Sequence, residues 1–130
     1  MKLDHIGIAV SSLEEALRTY QLLGFHAEDI VTIDEQKIRV AILPAGESRI
    51  ELLEPTTDSS VIQRFLERRG QGIHHLCFRV ANLEQKLNEL KLTSVQVLDQ
   101  LPCRGYENRR VVFLHPKTTE GVLIELVEET

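Results

Sequence analysis

Two stretches of this chain, 70 residues apart, read as copies of one another, and that repeat constrains the fold more than any other feature. Leu3-Asp4-His5-Ile6-Gly7-Ile8-Ala9-Val10 matches Ile73-His74-His75-Leu76-Cys77-Phe78-Arg79-Val80. Each is followed by a helix start: Ser12-Leu13-Glu14-Glu15-Ala16-Leu17 answers to Asn82-Leu83-Glu84-Gln85-Lys86-Leu87, with Ser or Asn as the N-cap. The halves also end alike, Ile50-Glu51-Leu52-Leu53-Glu54 against Ile124-Glu125-Leu126-Val127-Glu128, each after a strand closing in proline at Pro44 or Pro116. One order therefore occurs twice: strand, helix, then three strands.

Periodicity fills in the elements. Strands are predicted near 3–10, 26–32, 37–43 and 48–54, then 73–80, 95–100, 109–114 and 121–127. Helices are predicted near 12–23 and 82–91, and a linking helix near 59–69 with Val61, Phe65 and Leu66 on one side. Gly70 provides its C-cap and Gly72 a flexible entry to the next strand. A chain of 130 residues with this repeat suits a single domain, 1–130: repeat one about 1–56, the linking helix about 57–70, repeat two about 71–130.

Charge and cysteine usage narrow the partners. A net charge of −5 argues against a nucleic-acid binder, which would carry a basic stripe. Met1-Lys2-Leu3-Asp4-His5 is no secretory leader, and no apolar run reaches the roughly 20 residues that cross a bilayer, so no membrane partner is expected. Cys77 and Cys103 have neither metal-type spacing nor a disulfide framework, which suits a cytoplasmic protein with reduced thiols.

The repeated polar positions carry the chemistry. Alternation places His5, Gly7 and Ala9 on one face of the first strand and His75, Cys77 and Arg79 on the same face of the fifth, while Ile8, Val10, Phe78 and Val80 lie opposite, where the helices should pack. His75 thus matches His5, and His74 points away. Glu125 interrupts a strand that reads as buried on both faces, and Glu51 holds the same place in the first half. A lone carboxylate there is costly unless it is paired or metal-bound. The alternatives are an edge-strand glutamate reaching water, or a partner for an inward arginine such as Arg39 or Arg79. Taken together, His5, Glu51, His75 and Glu125 form a mixed nitrogen and oxygen set for one divalent metal ion such as cobalt, manganese, nickel, zinc or iron, with two octahedral positions left open.

With these residues in place the chain resembles the vicinal oxygen chelate superfamily, and within it most closely the methylmalonyl-CoA epimerase family. The resemblance runs nearly end to end and rests on Asp4-His5-Ile6-Gly7-Ile8-Ala9-Val10, Ile50-Glu51-Leu52-Leu53-Glu54-Pro55, Gly72-Ile73-His74-His75, Phe113-Leu114-His115-Pro116-Lys117 and Gly121-Val122-Leu123-Ile124-Glu125-Leu126. It implies an α+β fold of two tandem βαβββ modules forming a curved mixed sheet around a metal site, with cobalt foremost and manganese, nickel or zinc as others. It also implies a homodimer and an acyl-CoA substrate, the 2R and 2S forms of methylmalonyl-CoA, interconverted by 1,1-proton transfer. Glu125 and Glu51 would then be the acid and base, and His5 and His75 ligands only. Lys117, Arg104 and Arg109 are candidates for the phosphates of coenzyme A.

Two departures qualify the resemblance. Where some epimerases carry a further glutamate, five residues before the proline of the third strand, this chain has Arg39, which holds the substrate carboxylate or else lies on an exposed strand face. The glycine-rich loop after Pro102 is replaced by Cys103-Arg104-Gly105-Tyr106-Glu107-Asn108. Related functions stay open at this point: a lactoylglutathione lyase can use the same four residues, and antibiotic-sequestering relatives bind without chemistry. An extradiol dioxygenase fits less well, since its facial triad needs one carboxylate.

Overall fold

The computed structural model describes residues 1–98 and 103–129. The chain divides into two compact units, one of His5–His74 and one of His75–Thr130 together with Met1–Asp4.

In the first unit the strands β1 (Lys2–Ala9), β2 (Asp29–Ile33), β3 (Ile38–Ala45) and β4 (Ser48–Pro55) run in the order β2-β3-β4-β1. β1 and β4 are parallel, placing Gly7 opposite Glu51, and the other pairs are antiparallel. Helix α1 (Leu13–Leu22) starts where Ser12 accepts a hydrogen bond from the Glu15 amide. It lays Leu13, Ala16, Leu17 and Tyr20 against Ile8, Val10, Ala41, Leu43 and Leu52. It ends at Leu23, and Gly24 in the left-handed region turns the chain so that Phe25 returns to Tyr20. Helix α2 (Val61–Arg69) starts on Ser60, which accepts from the Ile62 amide at 3.2 Å. Phe65 and Leu66 are half-buried on its packed side, joined there by the buried Ile62, whereas Val61, expected on that side, is exposed.

The second unit repeats the plan. Strands β5 (Gly72–Val80), β6 (Cys103–Arg104), β7 (Arg110–Leu114) and β8 (Ile124–Glu128) run in the order β5-β8-β7-β6, and β5 and β8 are parallel. Helix α3 (Leu83–Leu90), capped by Asn82 on the Gln85 amide, covers Val80, Val112, Leu114 and Leu126. The strand expected at 95–100 is reduced to a single bridge between Val97 and Leu114, and residues 99–100 lie outside the described residues. The α+β architecture of two βαβββ modules with mixed pairing is borne out.

Both modules fasten their helix to the sheet with the same set of charges. Glu54, at the end of β4, accepts from the first amide of α1, Leu13 N, at 2.8 Å. Glu128 does the same for Leu83 N of α3 at 3.0 Å. Each carboxylate also meets an arginine across the ladder: Arg39 Nε lies 3.2 Å from Glu54, and Arg110 Nη1 lies 3.8 Å from Glu128. Those arginines reach on to the first helical turn, Arg39 to Glu14 and Arg110 to Glu84. The first-turn amides are orphan donors at the positive end of the helix dipole, so a carboxylate there satisfies both needs. Arg39 holds the Glu14 carboxyl below its usual range, and hydrogen bonding to Glu14 lifts Arg39 in return. That contribution is present above the unfolded value of Glu14 and is lost as pH falls through the lowered folded value.

Replacing the Glu54 carboxylate is expected to cost about 1–2 kcal/mol in urea unfolding for Glu54→Ala, and distinctly less for Glu54→Gln, which keeps an acceptor for Leu13 N. Equal losses for the two variants would show that the helix cap is not what Glu54 contributes.

Candidate metal-binding and catalytic residues

The sheet face turned away from the helix in each module carries His5 and Glu51, or His75 and Glu125, all buried. On β1 and β4 this face holds His5, Arg49, Glu51 and Leu53, with Ile42 of β3 opposite Glu51. His5 and Glu51 are each 5% exposed, and His5 Nδ1 lies 3.2 Å from Glu51 Oε2. Arg49, two residues before Glu51 on the same face, places Nη2 at 3.5 Å from that oxygen.

In the second unit the matching face holds His75, Cys77 and Arg79 on β5, Glu125 and Val127 on β8, and Val111 and Phe113 on β7. His75 is 5% and Glu125 is 4% exposed, with His75 Nε2 at 3.5 Å from Glu125 Oε1. The Phe113 ring meets His75 edge-on at 5.6 Å, which fixes the plane of the imidazole. His74 turns to the opposite face, as alternation requires, and stands edge-on to Phe65 of α2 at 5.0 Å.

Each module therefore buries one imidazole against one carboxylate. Two donors about 2.1 Å from a common ion are about 3.0 Å apart at an octahedral angle and about 3.4 Å apart at a tetrahedral one. The observed 3.2 and 3.5 Å separations fit a pair of metal ligands within each unit. Imidazole with carboxylate suits a borderline divalent ion.

The basic residues singled out in the sequence take these places. The arginine beside Glu51 is Arg49, whereas Arg39 and Arg79 pair elsewhere. Arg39 lies on the helix-bearing face with Glu54 and Glu14, so the pleat turns it away from Glu51. Arg104, in register with Arg110, shares the helix-bearing face of its module, is exposed, and donates to its own loop at the Asn108 carbonyl, 3.0 Å away. Lys117 is exposed on the turn after β7, its amide donating to His115 Nδ1.

Sequence reasoning also missed a charged cluster. Asp4, 3% exposed, accepts from both terminal nitrogens of Arg109 at 3.1 Å each and lies 3.1 Å from Arg79 Nε. Burial opposes the charge on Arg109, but the Asp4 carboxylate, with Glu107 beyond it, raises its pKa above the ordinary value. The signal available was that Asp4 takes the place of His74 in the repeat and that Arg79 shares a face with His75.

Comparison with known proteins gives the lineage. Residues 4–113 match the family model of the glyoxalase/bleomycin resistance protein/dioxygenase superfamily. The uncharacterized Bacillus subtilis protein YqjC is 41% identical over 98% of this chain and 91% of its own length. The crystal structure of methylmalonyl-CoA epimerase from Mycobacterium tuberculosis superposes with a TM-score of 0.92 at 41% identity, covering 98% of this chain and 87% of that one. A Streptomyces coelicolor methylmalonyl-CoA epimerase variant in complex with 2-nitronate-propionyl-CoA superposes at the same TM-score of 0.92 with 34% identity, over 100% of this chain and 98% of that one. The chain belongs to the glyoxalase/bleomycin resistance protein/dioxygenase superfamily, in the branch that contains the methylmalonyl-CoA epimerases.

Proposed function

We propose that this chain is a metal-dependent epimerase that interconverts 2R- and 2S-methylmalonyl-CoA by moving one proton at C2. The observation that carries the reading is the buried imidazole–carboxylate pair on the same face of each module, in a chain with solved relatives that bear the epimerase name and, in several cases, hold an acyl-CoA ligand. His5, Glu51, His75 and Glu125 would together hold one divalent ion, cobalt foremost. When bound, such an ion polarises the thioester and carboxylate oxygens of the substrate and so acidifies the proton at C2.

The protein's own groups do the rest. A carboxylate has two oxygens, so one can serve as a ligand while the other exchanges a proton. Glu125 and Glu51 are the proposed pair: one removes the C2 proton and the other returns a proton to the opposite side. His5 and His75 are ligands without a proton-transfer role, and Phe113 keeps the His75 ring in its plane. Lys117, exposed past the end of β7, is the proposed contact for a coenzyme A phosphate. A homodimer in the cytoplasm is the proposed working form. No helix among the described residues is long and apolar enough to cross a membrane.

Two measurements test this. Protein stripped of metal and reloaded with cobalt is expected to exchange deuterium into C2 of methylmalonyl-CoA, with Glu125→Gln slowed by about 10²- to 10⁴-fold. Full activity in that variant would remove Glu125 from the reaction. Metal occupancy is read separately from thermal unfolding. Cobalt at about 100 times its Kd adds about 2.7 kcal/mol, a rise in Tm of about 10 °C for a chain of this size, and His75→Ala is expected to abolish most of that rise. An undiminished rise in His75→Ala would place the ion elsewhere.

A further inference from the structure

The second unit buries a charged group that the proton transfer leaves unused. Asp4 is shared between the guanidiniums of Arg109 and Arg79 and so offsets at most one of their charges. The Arg109 side chain is only 9% exposed, whereas Glu107, the other carboxylate acting on it, is exposed to solvent. A guanidinium carries five N–H donors, of which the Asp4 contact takes two. The buried Arg109 Nε–H has no acceptor among the described residues. A buried donor left open, on a cation only partly neutralised, is costly in a resting protein and favourable once an anion arrives.

Its position says which anion. Arg109 has extended backbone and continues the alternation of Val111 and Phe113, so it belongs to the face that bears His75 and Glu125. The Asp4 carboxylate lies within 4.8 Å of the Cys77 sulfur, and Cys77 is directly opposite Glu125 across the β5–β8 ladder. Cys77 thus stands between the Asp4 carboxylate and Glu125 on this face. A buried fork on the same face as Glu125 suits the small planar carboxylate of an acyl chain better than a solvated diphosphate.

We propose that Arg109, oriented by Asp4, is a specificity-determining residue that binds the free carboxylate of a malonyl-type acyl thioester. The assignment rests on the epimerase reading for its substrate, and its test separates the two. Arg109→Gln is expected to raise KM at least about tenfold for methylmalonyl-CoA and equally for methylmalonyl-pantetheine, which lacks the phosphates, with a smaller effect on kcat and unchanged bound metal. Arg109→Lys restores part of the loss, because it keeps the charge without the fork. Malonate binding to the metal-stripped chain, measured by calorimetry with acetate as control, needs no turnover. The wild type is expected to bind malonate in preference to acetate, and Arg109→Gln at least about tenfold more weakly. A KM effect confined to the coenzyme A thioester overturns the proposal, as does equal malonate affinity in the two proteins. Should Arg109→Gln fail to fold, absence of malonate binding by the wild-type chain overturns it on its own. Malonate binding through Arg109 without C2 exchange would retain the anion site and reject the epimerase reading.

Discussion

Burial of carboxylates within strands is the constraint on which the rest of this structure depends. Glu51 and Glu125 stand in runs of aliphatic residues and are almost fully withdrawn from water. Each is tolerated because the parallel neighbour of its strand brings a histidine to the same face, His5 for Glu51 and His75 for Glu125. The parallel β1–β4 and β5–β8 pairings therefore also decide which buried side chains meet. A slip of one residue in either register would send the carboxylate to the helix side and leave its histidine behind.

A second economy of the module is the way it separates its charges. The arginines and glutamates on the helix-bearing face, Arg39 with Glu54 and Glu14, and Arg110 with Glu128 and Glu84, close the helix N-terminus onto the sheet. They occupy the opposite face of the pleat from the buried carboxylates Glu51 and Glu125. Glu51 and Glu54, three residues apart, thus take opposite faces and unrelated tasks. The same holds for Glu125 and Glu128.

The loop before β7 reconciles an unusual sequence with a demanding backbone. Glu107 and Asn108 both adopt left-handed φ values, 61° and 57°, where glycine would be unstrained. The conformation is held locally by Arg104 on the Asn108 carbonyl and by the Gly105 amide on the Arg109 carbonyl. It delivers Arg109 to Asp4.

The sequence by itself determined the duplicated strand–helix–strand order, the helix caps at Ser12 and Asn82, and the alternation that pairs His5 with His75 and Glu51 with Glu125 in the repeat. These are local or periodic properties, and a repeat reports them twice. The tertiary structure alone decided which arginine meets which carboxylate. A side chain as long as arginine can reach several partners, and the choice depends on register between strands far apart in the chain. That is why Arg39 could not be assigned from its neighbours, why Arg49 went unnoticed beside Glu51, and why the Asp4–Arg109 pair, separated by more than one hundred residues, has no trace in local pattern.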